Sequence, residues 1–250
     1  MIDQRPKELG WIGAHAYAHR GLHGDGVPEN SLAAFAAAIE AGLGIECDVR
    51  KSADGRALVF HDDDLARLTG EAGAFAARTV GELTAIGLRG SDQRIPTLRD
   101  MLSMVDGKVP LLLELKTDRT RPVSPLCRAV RRDCEGYRGA LAVMSFDPRV
   151  VRWFAARGSL LPLGLVVSEQ GGLTFVQQLK RRLVVRSANA DFLALDVRDL
   201  PSSLSVRQVA RGAPLVSWTI DSAARLDAAL AAGAMPICEA AGVAAWQARS

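Results

Sequence analysis

The sequence predicts an α/β fold, a (β/α)8 barrel carrying a short inserted segment after its second strand. Short apolar runs alternate with amphipathic stretches of helical period almost to the end of the chain, the pattern of parallel strands joined by crossover helices. Eight such runs can be read, and a chain of 250 residues suits one eight-stranded barrel. A hydrophobic content of 48% is enough to fill that core, and no internal repeat or low-complexity linker divides it. Residues 1–250 are therefore read as a single domain.

In chain order the expected strands are Ala14–His19, Gly44–Arg50, Pro110–Leu115, Ala140–Met144, Leu163–Val167, Phe192–Asp196, Pro214–Trp218 and Met235–Cys238. Helices are expected over Ser31–Ala41, Leu98–Val105, Ser124–Cys134, Pro148–Ala156, Phe175–Val185, Leu204–Arg211 and Ala223–Ala232. Ser31 is a suitable N-cap for the first helix and Gly42 a suitable stop. After the second strand, Asp54-Gly55 turns the chain into Leu58-Val59-Phe60-His61. That return is too short for a parallel crossover, so it is a hairpin. Residues 66–94 are rich in Gly, Ala and Thr with weak periodicity. They read as a small insertion and a candidate lid.

The net charge of +3 is small and not gathered in a tail. The clusters Lys180-Arg181-Arg182 and Arg128/Arg131/Arg132 read as solvated helix faces. The basic residues are not interleaved with stacking aromatics, so nucleic acid is not an expected partner. No apolar stretch is long enough for a membrane span, and Met1–Gly10 lacks a signal-peptide core. Cys47, Cys127, Cys134 and Cys238 have no metal-site spacing. They read as reduced, buried thiols of a cytoplasmic protein.

The chemistry concentrates early. In a strand, residues two apart share a face, so Glu46 and Asp48 project together, and Glu114 with Lys116 repeats the arrangement. Carboxylates aimed into a barrel interior need a compensating cation. Three oxygen ligands without a thiolate suit Mg²⁺ or Ca²⁺ better than zinc. A metal-free network of ion pairs around Lys116 is the other reading. His19 ends the first strand and His61 ends the hairpin strand, where a pair of imidazoles can serve as acid and base. Arg20 offers a forked donor for phosphate oxygens and Lys116 a point charge. His15 and His23 lack that placement.

These residues carry a resemblance to the glycerophosphodiester phosphodiesterases. The family signature HRG, PEN(T/S), ExD, DGxxVxxHD and ExK is matched by His19-Arg20-Gly21, Pro28-Glu29-Asn30-Ser31, Glu46-Cys47-Asp48, Asp54-Gly55 through His61-Asp62, and Glu114-Leu115-Lys116. Ile95-Pro96-Thr97-Leu98, Ser145-Phe146 and Ser217-Trp218-Thr219 are weaker landmarks. The resemblance implies a TIM barrel with His19 and His61 as the acid–base pair, and Glu46, Asp48 and Glu114 as ligands of a divalent metal. It makes Arg20 and Lys116 phosphate contacts and Glu29 and Asn30 organisers of the site. Phe146 and Trp218 become an apolar wall beside the substrate; as residues alone they read equally as core aromatics.

The implied reaction converts a glycerophosphodiester, a small-molecule substrate, into sn-glycerol 3-phosphate and an alcohol. In it a glycerol hydroxyl attacks phosphorus and water opens the resulting cyclic phosphate. The rival readings are a lysophospholipase D-like phosphodiesterase and a catalytically silent phosphodiester-binding protein. The chain departs from the family at the last strand, which ends Ile237-Cys238-Glu239 where a Thr-Asp pair is frequent. The inserted segment is also short and poor in aromatics.

Overall fold

The computed structural model describes residues 8–118, 120–168 and 183–249. The chain divides into two compact units, Ala18–Ala140 and Met1–Tyr17 with Leu141–Ser250.

Strand β1 (Tyr17–His19) delivers its last residues, Ala18 and His19, to the first unit, where a loop and helix α1 (Leu32–Glu40) follow. Strand β2 (Gly44–Lys51) and its hairpin partner β3 (Ala57–Val59) follow. Short helices α2 (Ala66–Thr69) and α3 (Val80–Ala85) come next, then α4 (Leu98–Val105), β4 (Leu111–Leu115) and α5 (Ser124–Asp133). Ser31 caps α1 as its composition predicts, the hydroxyl accepting the Ala34 amide at 3.1 Å. Such a cap contributes about 1 kcal/mol. Helix α4 opens on a reciprocal box between Thr97 and Asp100, which satisfies two backbone donors that lack helical partners. Gly21 (φ +79°) passes so close to α1 that a Cβ there would stand 2.8 Å from the Ala34 Cβ.

Strands β2 and β4 run parallel with Glu46 opposite Leu112 and Asp48 opposite Glu114. The expected hairpin is present: β3 returns antiparallel to β2, pairing Val49 with Val59 and Lys51 with Ala57. Gly55 supplies the φ of +81° that its turn needs. Residues 66–94 carry α2, a 3₁₀ turn at Phe75–Ala77 and α3. Phe75, Leu83, Leu88 and Ile95 bury themselves against Leu58, Phe60 and Leu65, and Phe60 stacks on Phe75 with ring centroids 5.0 Å apart. The segment is thus tied to the hairpin by its own apolar core.

The second unit holds β5 (Leu141–Ser145), α6 (Pro148–Ala155), β6 (Leu163–Val167), β7 (Phe192–Asp196), β8 (Leu215–Ile220) and β9 (Met235–Cys238). Its strands pair in sequence and in parallel from β5 to β9. The hydrogen-bonded strand order of the chain is β1-β9-β8-β7-β6-β5-β4-β2-β3, with β1 also bonded to β2. This is the order of a (β/α)8 barrel with one antiparallel addition.

Two elements differ from expectation, and a third falls largely outside the described residues. The first strand begins at Tyr17, because Gly10–Gly13 forms a 3₁₀ turn and the Tyr17 hydroxyl donates to its Ile12 carbonyl at 3.2 Å. A helix at Ala241–Gln247 has no counterpart in the sequence reading. Of the helix expected over Phe175–Val185, residues 175–182 lie outside the described residues, as does Lys180-Arg181-Arg182. Arg128, Arg131 and Arg132 are exposed. All four cysteines are buried and outside any disulfide among the described residues. No helix among the described residues is long and apolar enough to cross a membrane.

Candidate active site

Register assembles the acidic core. Asp48 lies opposite Glu114 across the β2–β4 pair, and Glu46 shares the Asp48 face because side chains alternate along a strand. The three are buried, at 2%, 1% and 7% exposure for Glu46, Asp48 and Glu114, and can offer oxygens that all lie within 4.8 Å of one another. Lys116 Nζ stands 3.0 Å from Asp48 and 2.6 Å from Glu114, and Arg20 Nε 3.2 Å from Asp48.

Both cations favour Asp48, so its carboxyl responds differently from its neighbours. Burial raises it, yet Lys116 and Arg20 outweigh burial and bring it down to about 2. Glu46 is pushed up to about 8 by burial and by the adjacent Asp48 charge; burial also raises Glu114. The partner of Glu46 among the described ion pairs is the His19 imidazole, its Nε2 4.0 Å away. Three converging carboxylates against two fixed cations fit a hard divalent ion with oxygen ligands.

The loop after β1 is held to this cluster by its backbone. Arg20 adopts a left-handed conformation (φ +56°), which costs a non-glycine residue about 1–2 kcal/mol. Its amide donates to Glu46 Oε2 at 3.1 Å and its carbonyl accepts the Asn30 amide at 2.9 Å. Asn30 in turn brackets Asp48: its Nδ2 donates to the carboxylate at 2.9 Å and its Oδ1 accepts the Asp48 amide at 3.2 Å. Glu29 accepts from Arg20 Nη1 at 2.7 Å. Glu29 and Asn30, singled out in the sequence without defined contacts, thus touch the arginine and the central aspartate.

His19 closes β1, and His61 follows directly after the β3 extension, where the Phe60 amide still reaches the Asp48 carbonyl at 3.0 Å. His61 Nδ1 is 2.6 Å from Asp62 Oδ1. Burial raises the Asp62 carboxyl, but hydrogen bonds from Arg67 and His61 hold it at about 2. An ionised Asp62 can only accept, so Nδ1 carries the proton and Nε2 keeps its lone pair. Burial also keeps the imidazole below its ordinary pKa, against the pull of Asp48. Arg67, at the start of the inserted segment, donates to Asp62 from Nε at 2.6 Å and to both oxygens of Glu29 at 2.8 Å. One guanidinium therefore spans the carboxylates that hold Arg20 and His61. Sequence reading missed it, because Arg67 and Glu29 are 38 residues apart; the only local signal is a basic residue soon after His61-Asp62.

In the second unit, Phe146 and Trp218 meet edge to face with centroids 5.4 Å apart, and the indole donates to the Ala194 carbonyl at 3.4 Å. Phe146 keeps 41% of its surface exposed. His15 is exposed and His23 half-buried.

Among curated proteins, a glycerophosphodiester phosphodiesterase of Caldanaerobacter subterraneus subsp. tengcongensis is 36% identical over 108 residues, 40% of this chain and 44% of that protein. The probable glycerophosphodiester phosphodiesterase 2 of Mycobacterium tuberculosis is 29% identical over 222 residues, covering 84% of this chain and 80% of its own. The chain spans under half the length of the first curated relatives it matches, 46% and 44%. A phosphodiesterase of Oleispira antarctica, solved in complex with the product sn-glycerol-3-phosphate, shares the fold at a TM-score of 0.81 and 22% identity, over 94% of this chain and 96% of that one. Residues 19–239 match the glycerophosphoryl diester phosphodiesterase family, and the chain belongs to that family.

Proposed function

We propose that the chain hydrolyses glycerophosphodiesters to sn-glycerol 3-phosphate and an alcohol, using a divalent cation. The observation that carries this reading is the convergence, in one unit, of three buried carboxylates, a phosphate-type arginine and a histidine whose tautomer is set by an aspartate. The Oleispira antarctica neighbour, bound to sn-glycerol 3-phosphate, supports the substrate class.

In this reading Glu46, Asp48 and Glu114 hold the cation, either Mg²⁺ or Ca²⁺, which supplies charge neutralisation of the non-bridging phosphate oxygens. Arg20 and Lys116 bind the phosphate. Arg20 contributes paired donors and Lys116 a point charge. His61 takes the proton of the attacking hydroxyl on Nε2, since Asp62 fixes the proton on Nδ1 and burial keeps the ring neutral. His19, beside Glu46, gives a proton to the leaving alkoxide, and the two exchange roles when water opens the cyclic product. Phe146 and Trp218 serve as apolar substrate contacts. The buried, unbridged cysteines suit a reducing compartment, the cytoplasm.

The test is turnover of sn-glycero-3-phosphocholine, followed by release of sn-glycerol 3-phosphate, with and without a chelator. Chelator-sensitive release is expected. Release of choline with an acyl-bearing phosphate from lysolipids alone favours the lysophospholipase D-like activity. Binding without turnover favours the silent protein.

A further inference from the structure

A cavity of about 270 Å³ opens beside the acidic cluster within Ala18–Ala140, between the inserted segment and the loop after β4, and Lys116 lines it. The same lysine touches Asp48 and Glu114. A diester whose phosphate contacts Lys116 therefore has this space open to one of its two substituents. The volume sits just below the usual range of small-molecule sites, roughly 300–1,000 Å³. It suits a compact head group up to the size of a phosphorylated sugar alcohol and not a long acyl chain.

The lining is amphipathic and carries surplus positive charge. Phe75, Val123 and Leu126 form its apolar part, while Arg50, Lys51, Lys116 and Arg121 face Asp63 and Asp118. The other three cations already have carboxylate partners: Arg50 with Asp63, Lys116 with the cluster, and Arg121 with Asp118. Lys51 differs. Its described contact is a single hydrogen bond to the Ser52 carbonyl at 2.8 Å, and no carboxylate is paired with it among the described residues. The aromatic element does not favour a quaternary ammonium, because Phe75 is 1% exposed and its face is stacked on Phe60. An ammonium site needs an open ring face.

Building on the proposed phosphodiesterase activity, we infer that this cavity receives the leaving alcohol of the diester and favours alcohols bearing a second anionic group. Lys51 is its specificity-determining residue. Lys51 lies outside the acid–base and metal-ligand set, so its removal should leave the chemistry intact.

The experiment compares kcat/KM for three diesters in the chain with Mg²⁺: sn-glycero-3-phospho-inositol 4-phosphate, sn-glycero-3-phosphoglycerol and sn-glycero-3-phosphocholine. The expected order is anionic, neutral, cationic, with at least a tenfold span at low salt that narrows as salt is added. Lys51→Met should lower kcat/KM about tenfold for the anionic diester and leave the neutral one within twofold. Arg121→Gln, at an arginine side chain 71% exposed, should give a smaller loss of the same selectivity without touching the fold. A flat panel, a preference for the choline diester, or an equal loss on all three diesters in Lys51→Met overturns the inference while leaving the activity standing. Absence of turnover on every diester instead sinks the activity. Calorimetric titration with inositol 4-phosphate then still decides the cavity. Binding weakened at least fivefold by Lys51→Met supports the anionic subsite, and no binding at millimolar concentration overturns it.

Discussion

The two units both place aspartates at or just beyond strand ends, but they neutralise them in different ways. In the second unit, Asp147 after β5 and Asp196 at the end of β7 each meet an arginine two residues on. Arg149 forks onto Asp147 with contacts of 3.0 and 2.7 Å, and Arg198 onto Asp196 with contacts of 2.9 and 2.6 Å. Each aspartate also accepts the backbone amide of its own arginine. Each charge is met by an arginine two residues on, and the Ser168 hydroxyl adds a hydrogen bond to Asp196 at 3.3 Å. In Ala18–Ala140 the carboxylates come from two strands, and their cations arrive from β1 and β4 with Glu46 left under-compensated. An acidic residue at a strand end is thus not in itself a site. A surplus of buried negative charge that local sequence cannot cancel is.

The sharpest way to break that comparison is to remove the ion the surplus calls for. Exhaustive chelation should abolish turnover, and Mg²⁺ or Ca²⁺ should restore it. Glu46→Gln should shift the metal titration to higher concentration, since an amide offers an oxygen without the charge. Asp196→Asn should leave that titration where it is. Full activity after chelation would show the carboxylate cluster to be a closed network around Lys116.

Next in size is the acid–base pair. His19→Ala and His61→Ala should each lower kcat by about 10²–10⁴-fold with circular dichroism unchanged. Comparable damage from His23→Ala, with His61→Ala near wild type, would mean the wrong imidazoles have been chosen.

What could be read in advance follows the same division. Glu46, Asp48 and Glu114 were legible because strand alternation is a period of two, and Ser31 because a cap is a local event. Thr97 at the start of α4 is legible for the same reason. The inserted segment was opaque: Phe75, Leu83, Leu88 and Ile95 follow no regular period, and their partners Leu58 and Phe60 lie on the hairpin. Arg67 was invisible because its function is an ion-pair geometry across 38 residues, which no spacing rule encodes. The start of β1 was over-extended because Ala14-His15-Ala16 alternates like a strand, whereas the Ala14 amide closes the 3₁₀ turn on Trp11 at 3.2 Å.

Arg67 permits a test of intermediate size. Its side chain is half exposed, so Arg67→Ala should cost little stability. It frees Glu29 and Asp62 to move, and with them Arg20 and His61. A loss of about 10–100-fold in kcat is expected, the range seen when outer supports of a metal site are removed, with KM changed less than threefold. Added guanidinium should recover part of the rate, and Arg67→Lys should recover less than the fork it replaces. If Arg67→Ala turns over at the wild-type rate, the clamp holds the inserted segment and not the reacting groups.

The smallest effect is expected where charge is cancelled locally. Asp147 is the N-cap of α6: its carboxylate accepts the Arg149 amide at 2.9 Å, and its own amide donates to Ser145 Oγ at 3.1 Å. Asparagine caps a helix about as well as aspartate, and the Arg149 fork is 39% exposed on the arginine side, so its ion pair is worth little after solvent screening. Asp147→Asn should therefore cost under about 1 kcal/mol. Alanine removes the cap as well, and Asp147→Ala should lose a further ~1 kcal/mol, or about 2–4 °C of Tm in a chain of this size. Turnover per folded molecule should hold in both variants. Thermal denaturation beside single-substrate kinetics separates the outcomes. Loss of activity in Asp147→Asn at unchanged Tm would move the β5 end out of the class of self-satisfied forks and into the reacting site, and the contrast between the two units would then fail at that strand.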